Sequence, residues 1–218
     1  MLATEAAEAP AAVRSAIAAN ANAIATLADR LVAHPPTFVA TIARGSSDHA
    51  ATYGAYLLSS VLGLPVASVG PSMVSIYGRA PTSLAGALVL AISQSGKSPD
   101  VIQLATAARA AGALVVGVVN DEHSPLAEAC ELVIPLGAGP ETSVAATKSF
   151  LCACASLLQL AAAWSRDPLL TDALAASPTP SPTPARATGA PPSPRSHPHR
   201  VSTSSAAASA SARPTSSR

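Results

Sequence analysis

Hydrophobic residues form two kinds of pattern along the first 174 residues. Some recur at helical spacing, and others form short continuous runs rich in β-branched residues. The opening segment, Glu5 to Ala33, places Ala, Leu and Ile at helical spacing and predicts one or two helices. Predicted strands cover 37–43, 65–69, 87–92, 114–119 and 132–136, and predicted helices cover 48–62, 98–111, 125–130 and 144–164. Apolar strands that alternate with helices predict an α/β fold. We expect a three-layer α/β/α sandwich with a five-stranded parallel sheet, because crossover helices cover both faces.

Three segments follow from this pattern: a helical segment over 1–36, an α/β domain over 37–174 and a tail over 175–218. The composition changes abruptly in the tail. Residues 177–218 hold nine of the 20 prolines and five arginines, and they lack Asp, Glu and Lys. The preceding residues carry all 12 acidic side chains. A segment with so few large apolar residues cannot offset the entropy lost on ordering, so we predict that the tail is disordered.

Composition narrows the class of protein. Hydrophobic residues make up 49% of the chain, enough for one sizeable core, while the net charge is only +1 and aromatics are 3%. These values argue against a nucleic-acid partner. No apolar run is long enough for a membrane span, and no basic and apolar leader opens the chain. We therefore expect a cytoplasmic protein without a membrane partner.

The three cysteines, Cys130, Cys152 and Cys154, are an odd number and are expected to be reduced core residues. Cys152 and Cys154 are two positions apart on a predicted helix, so they point to different faces and lack the spacing of redox or zinc sites. No other metal-ligand spacing stands out. Neither a metal nor a cofactor is expected.

Polar side chains concentrate in three segments that follow predicted strands: 44–49, 93–100 and 139–148. Each segment lies before a predicted helix, where backbone N–H groups are unsatisfied and the helix dipole is positive. Ligands of open parallel sheets bind at the carboxyl ends of the strands. Hydroxyl donors beside helix N-termini at that edge favour a phosphate ligand.

The segment 93–100 is the most informative of the three. Ser93, Ser95 and Ser98 offer hydroxyl donors, Gly96 permits close backbone approach, and Pro99 suits the first turn of a helix. The alternative is that Ser98 only caps the helix and the other serines are ordinary loop residues. Neither GxxxxGK[ST] nor GxGxxG is present, which removes the usual support for ATP or dinucleotide binding.

The motifs ARGSSDHA, AISQSGKSPD and GPETSVAATKSF, in this order after successive strands, resemble the sugar isomerase (SIS) domain. They are most similar to bacterial glucosamine-6-phosphate deaminase/isomerases and to the isomerase half of glutamine:fructose-6-phosphate aminotransferase. The resemblance implies a phosphate site, supported by Gly45 and Gly96. The implied phosphate-binding residues are Ser46, Ser47, Ser93, Gln94, Ser95 and Ser98.

The resemblance also implies roles in the third segment. Val144 and Ala146 would contact the sugar; the position of Ala146 is commonly Ser in the aminotransferase. Glu141 and Lys148 are candidates for orienting this segment. The alternatives for these two are a helix-start carboxylate and a lysine that is either solvated or neutralises the phosphate.

The resemblance implies a phosphosugar-binding domain of an amino-sugar phosphate deaminase/isomerase, with a hexose 6-phosphate or amino-hexose 6-phosphate as ligand. In this family the catalytic His, Glu and Lys belong to a second SIS domain, and no position here matches them. Catalytic residues therefore stay unassigned, and enzymatic activity is left open. His49 is a candidate acid–base group, with a surface residue in the first turn of a helix as the alternative.

The competing interpretation is a non-catalytic phosphosugar-sensing module. For either function we expect a homodimer, because the resembling enzymes pair their domains through helices. The first apolar segment and the long last helix are the expected dimer surfaces.

Overall fold

A computed structural model of the chain describes residues 2–142 and 146–176. Five parallel strands form one sheet in the order β2-β1-β3-β4-β5. The strands are β1 Val39–Ile42, β2 Val66–Ser68, β3 Leu88–Ser93, β4 Leu114–Val119 and β5 Leu132–Pro135. The helices are α1 Leu2–Ala33, α2 Ser46–Leu62, α3 Ser72–Ser75, α4 Pro99–Ala110, α5 Pro125–Ala129, α6 Lys148–Ser165 and α7 Pro168–Ala175, with a 3-10 turn at Thr82–Leu84. The predicted three-layer α/β fold is confirmed.

The strand order reverses beside β1, which pairs with β2 on one side and with β3 on the other. Val39 is in register with Leu88 in the β1–β3 pair. Every residue of β1 and β3 is buried, as expected for central strands covered on both faces. Because β1 leads into α2 and β3 leads into α4, the amino ends of these two helices lie at one edge of the sheet. That edge is where a ligand is expected.

Two apolar layers flank the sheet. On one face, Leu27 of α1, Leu58 of α2 and Leu157 of α6 are buried in the same cluster as the strand residues Leu90 and Val116. The other face is covered by α4 and α5 and contains a second cluster, whose buried members include Ile42, Val89, Leu104, Val115 and Leu126. The strands are therefore covered on both faces, and the loops at their carboxyl ends are left to carry the site.

The long helices α1 and α6 pack against each other. Asn20 Nδ2 of α1 donates to Ser156 Oγ of α6 at 3.4 Å and to the Pro135 carbonyl of β5 at 2.7 Å. Gln159 Nε2 of α6 donates to the Ile17 carbonyl of α1 at 2.9 Å. These are the helices to which the sequence assigns dimer surfaces, and much of their apolar surface is covered within one chain. Val32 on α1 and Leu151 on α6 are exceptions that stay exposed. The homodimer stays a prediction.

The cysteines lie in the described part of the chain as free thiols. Cys130 and Cys152 are buried, and Cys154 is half-buried. Burial raises the pKa of the Cys152 thiol to about 11, so it is protonated at neutral pH. These observations are consistent with the three cysteines being unreactive packing residues.

Several element boundaries differ from the prediction. The last long helix begins at Lys148, not at residue 144, because the Glu141 carboxylate accepts the N–H groups of Thr147 and Lys148 and thereby starts the helix there. The opening segment is a single helix that contains Pro10. The short elements α3 and α7 and the 3-10 turn were not predicted.

The predicted disordered tail lies outside the described residues from position 177 onward. In the part of the chain that is described, none of the helices combines the length and hydrophobicity needed to cross a membrane.

Candidate functional site

A polar cavity of about 180 Å³ lies where β1 and β3 end. It brings together all six residues that the sequence assigns to phosphate binding, and Ala146 from the third segment. The lining residues are Arg44, Ser46, Ser47, Ser93, Gln94, Ser95, Ser98 and Ala146. Hydroxyl groups dominate this lining, so the cavity is rich in hydrogen-bond donors.

The loop after β1 turns at Gly45, whose φ of 58° and ψ of −134° disfavour any residue with a Cβ. Helix α2 begins directly afterwards at Ser46, and no described side chain caps it. The first N–H groups of a helix have no intrahelical partner. Ser46 and Ser47 therefore bring hydroxyls and the positive end of a helix dipole to the cavity together.

The loop after β3 is held by its own serines. Ser93 Oγ accepts from the Gly96 N–H at 3.1 Å, and Ser95 Oγ accepts from the Lys97 N–H at 3.3 Å. Each hydroxyl keeps its O–H to donate to a ligand.

Gly96 is required by both conformation and space. Its φ is 62°, and a Cβ at this position would lie 2.1 Å from Ser124 Oγ. The Leu126 N–H also donates to the Gly96 carbonyl at 3.1 Å. The tight turn that presents the serines thus depends on the start of α5.

Ser98 occupies the N-cap position of α4, and Pro99 follows it at the first helical position. Its side chain makes no capping hydrogen bond, although Ser is a preferred capping residue. The capping alternative is therefore not what the structure shows. Ser98 lines the cavity with its hydroxyl available to a ligand.

Arg44 is a cavity residue that the sequence analysis did not single out. It is the only cationic side chain among the described lining residues. The guanidinium pairs with the Asp100 carboxylate in the first turn of α4 and is 64% exposed. A signal was present in the sequence, since Arg44 directly follows a buried strand and precedes the turn glycine. A basic residue at a strand end suits an anionic ligand.

Glu141 is a helix-start carboxylate. Its Oε1 accepts from the Thr147 N–H at 2.6 Å and from the Lys148 N–H at 2.8 Å, and its Oε2 accepts from the Ser149 hydroxyl. Partial burial works to raise the pKa of Glu141, but the hydrogen bonds from Ser149 and Thr147 outweigh it and hold the pKa below its usual value. Glu141 thus fixes the segment that leads into α6.

Lys148 departs from both alternatives for it, because it is neither solvated nor beside the cavity. Its side chain is 5% exposed, and its Nζ lies 2.7 Å from Glu8 Oε2 on α1. The ammonium also donates to the Pro140 carbonyl at 2.9 Å. The physical reason is the packing of α1 along α6, which covers the first turn of α6.

Of the other residues that the sequence assigns to the site, some line the cavity and some do not. Ala146 lines the cavity, whereas Val144 lies outside the described residues. Gln94 Nε2 donates to the Glu141 carbonyl at 3.3 Å and so links the β3 loop to the third segment. His49 is exposed in the first turn of α2 and is not among the described lining residues, as the surface alternative expects.

A larger cavity of about 550 Å³ lies at the opposite edge of the sheet. Two arginines line it, but both are engaged. Arg30 pairs with Glu131 at 2.7 Å, and Arg109 donates to the Ala129 and Cys130 carbonyls at 3.4 Å. Arg44 of the serine-lined cavity is paired as well, with Asp100, but the serine hydroxyls there keep their O–H groups to donate, and the serine-lined cavity is therefore the better candidate for an anion.

Comparisons with known proteins agree with this architecture. A model of the SIS domain matches residues 38–163. Glutamine–fructose-6-phosphate aminotransferase (isomerizing) from Gluconobacter oxydans is 35% identical over 122 residues, which are 56% of this chain and 20% of that protein. The chain thus spans about a fifth of the length of this curated relative.

Two solved structures show the same fold. A phosphosugar isomerase candidate from Silicibacter pomeroyi DSS-3 matches with a TM-score of 0.76 and 46% identity, over 79% of this chain and 52% of that chain. The Vibrio vulnificus NanR protein complexed with ManNAc-6P matches with a TM-score of 0.54 and 22% identity, over 75% of this chain and 64% of that chain. From its parallel sheet, its serine-rich strand-end loops and the match over most of its α/β region, the chain belongs to the SIS domain family.

Proposed function

We propose that this chain binds a hexose 6-phosphate of the glucosamine 6-phosphate and fructose 6-phosphate class. The phosphate occupies the serine-lined cavity, and the sugar extends toward Ala146. One observation carries the proposal. The loops after β1 and β3, which are 50 residues apart in the chain, place five serines and two uncapped helix N-termini around one cavity.

The chemistry of the lining fits a phosphate monoester. Such a group carries a charge of about −1.5 to −2 at neutral pH and three strong acceptor oxygens. Serine hydroxyls and helix N–H groups are donors, and the Arg44 guanidinium, which is paired with Asp100, lies at the same cavity. No carboxylate is present among the described residues that line the cavity.

The names of the relatives support a sugar phosphate as the ligand and favour one of the amino-sugar class. The curated relative is an aminotransferase named for fructose 6-phosphate, and the NanR structure holds an amino-sugar 6-phosphate. These names support our proposal that the ligand is an amino-sugar phosphate or its ketose counterpart and that the chain belongs to the amino-sugar phosphate deaminase/isomerase group.

A second candidate function is a phosphosugar-sensing module without catalysis. Moving a proton between C1 and C2 of a sugar requires an acid–base group. Among the described residues that line the cavity, none carries an imidazole or a carboxylate. This observation favours binding without turnover for the part of the chain described.

Calorimetric titration tests the binding proposal. We expect wild-type protein to bind glucosamine 6-phosphate and fructose 6-phosphate, and to bind unphosphorylated glucosamine far more weakly. A Ser95→Ala/Ser98→Ala variant is expected to lose this binding, whereas Ser60→Ala, an exposed serine near the other end of α2, is expected to retain it. Binding that survives in the double variant would contradict the proposal.

The two candidate functions differ in turnover. Ammonia release from glucosamine 6-phosphate, followed over hours with protein that binds it, separates them. Release above the rate of the Ser95→Ala/Ser98→Ala variant supports the deaminase group. Binding without release supports the sensing module.

A further inference from the structure

The first turns of α1 contact Thr142 and Lys148 of the third segment, although these residues are more than 130 positions away in the chain. Glu5 Oε1 accepts from the Thr142 N–H at 2.8 Å and from the Thr142 hydroxyl at 3.2 Å. Glu5 is only 8% exposed. A buried carboxylate with two hydrogen bonds from one residue fixes that residue in place.

Glu8 makes the second contact from the same helix face, one turn later. Its Oε2 lies 2.7 Å from the buried Nζ of Lys148. The hydrogen bond that Lys148 donates to Glu8 raises the pKa of Lys148, against the opposing effect of desolvation. A buried ammonium requires such a partner, because an unpaired charge in the interior is strongly unfavourable.

These two contacts bracket the residue that touches the cavity. Thr142 and Lys148 lie on either side of Ala146, which lines the cavity. The same segment meets the β3 loop where Gln94 donates to the Glu141 carbonyl. By contrast, the serines belong to the β1 and β3 loops, which α1 does not hold through either glutamate.

We propose that Glu5 and Glu8 are positioning residues that set the affinity of the site for the sugar part of its ligand. They hold Thr142 and Lys148, on either side of Ala146, from α1, while the serines that would contact the phosphate belong to α2, the β3 loop and the start of α4. This inference rests on the proposed function. It makes the N-terminal helix part of the specificity of the site.

The test compares two probes, inorganic phosphate and glucosamine 6-phosphate, titrated into the full chain. The ratio of their affinities isolates the sugar contribution. For Glu8→Ala and for Glu5→Ala we expect this ratio to fall by about fivefold or more, with phosphate affinity unchanged within about twofold. Asp29→Asn, on the same helix but paired with Arg166 at the far end, is the matched control and is expected to leave the ratio unchanged.

A loss of folding stability alone must be separated from a loss of positioning. Glu8→Ala leaves the Lys148 charge buried without its carboxylate, whereas Glu8→Ala/Lys148→Met removes both charges. We expect the double variant to regain thermal stability and to keep the lowered affinity ratio. An affinity ratio that recovers with stability would overturn the proposal.

The remaining outcomes are distinct. If the wild type binds both probes and the variants weaken both equally, the positioning role is wrong and the phosphate site stands. If the wild type binds neither probe, the proposed function fails, and this inference fails with it.

Discussion

The helix N-termini of this protein are of two kinds. In α5 and α7, the side chains of Ser124 and Asp167 accept backbone N–H groups, and in α6 the Glu141 carboxylate does so. Helices α2 and α4 begin at Gly45 and Ser98 without a side-chain cap in the described chain. Both of these ends lie at the serine-lined cavity, whereas the four-residue helix α3 also begins without a side-chain cap, at Pro71, and is not among the described lining residues.

Helix starts with a side-chain cap contribute to stability, whereas we interpret the starts of α2 and α4 as contributing to ligand binding. A capping side chain contributes about 1 kcal/mol to a helix, which α4 forgoes, whereas α2, whose N-cap is Gly45, forgoes only a few tenths of a kcal/mol. Asp100 Oδ1 accepts the Val101 N–H of α4 at 3.0 Å, and the Gly45 carbonyl accepts the Asp48 N–H of α2 at 3.0 Å, but the other first-turn N–H groups are available to an anion. The contrast is sharpest at Ser98, which has the right residue type and backbone conformation for capping and yet makes no capping bond. We interpret the uncapped ends as parts of the ligand site.

The largest expected effect is that of Gly96→Ala. The added Cβ would lie 2.4 Å from Ser124 Cβ, and the alanine would have to adopt the positive φ of 62° that Gly96 has. We expect a loss of about 2–4 kcal/mol in unfolding free energy, from overpacking and backbone strain together, and loss of ligand binding. Chemical denaturation and calorimetry measure the two effects.

Gly45→Ala is the matched control for this substitution. Its φ is also positive, but no atom lies within 4 Å of the added Cβ. Only the conformational cost of about 1–2 kcal/mol is expected. Equal destabilisation by the two substitutions would show that the contact with Ser124 is not what constrains the loop.

The next prediction compares the uncapped start of α4 with the capped start of α7. Ser98→Ala is expected to lower affinity for glucosamine 6-phosphate about tenfold, the value of one hydrogen bond to a charged group. Its effect on stability is expected to be small, because the side chain makes no capping bond. Asp167→Ala should do the reverse, costing about 1 kcal/mol in stability and leaving affinity unchanged. A Ser98→Ala variant that is as destabilised as Asp167→Ala would break the comparison.

Arg44→Ala is expected to have a smaller effect, about fivefold in affinity, because an exposed guanidinium is screened by solvent and salt. The reduction should shrink as ionic strength rises from about 0.05 to 0.5 M. Titrations at several salt concentrations measure it. Arg44→Lys keeps the charge and should recover part of the affinity. A reduction that does not depend on salt would place Arg44 outside the phosphate contacts.

The smallest expected effect concerns the capped end of α6. Glu141→Gln should cost about 1 kcal/mol at pH 7, because a neutral amide replaces a carboxylate that accepts backbone N–H groups. The folded-state pKa of Glu141 lies below its usual value. Its stabilising contribution is therefore complete above the unfolded pKa of about 4.3 and is lost as pH falls through the folded pKa.

Denaturation of the wild type and of Glu141→Gln between pH 7 and pH 3 measures this effect. We expect the difference in stability to be largest at neutral pH and to close in acid. A gap that stays constant over this range would mean that the carboxylate charge does not cap α6.

The sequence predicts this fold well where apolar periodicity and glycine positions act together. The strand 114–119 is found as predicted, and the serine loops at the ends of β1 and β3 converge as the parallel sheet requires. The short α3 and the 3-10 turn have too few residues for a periodicity to show. For this reason the sequence does not predict them.

The site could be predicted only in part, because some contacts depend on distant packing. The environment of Lys148 is set by Glu8, 140 positions earlier, and appears only when α1 lies along α6. Arg44, in the loop after β1, pairs with Asp100 of α4, which lies 56 positions later in the chain. Neither partnership leaves a local pattern. Spacing alone identifies which loops meet, and packing decides which charged side chains face the ligand.

The most direct test of the central claim is a crystal structure of this protein with glucosamine 6-phosphate. We expect the phosphate oxygens to lie within about 2.7–3.2 Å of donors at the starts of α2 and α4, including the Ser98 hydroxyl. A phosphate bound instead in the larger cavity beside Arg30 and Arg109, or a serine-lined cavity that stays without ligand at saturating concentration, would contradict the account.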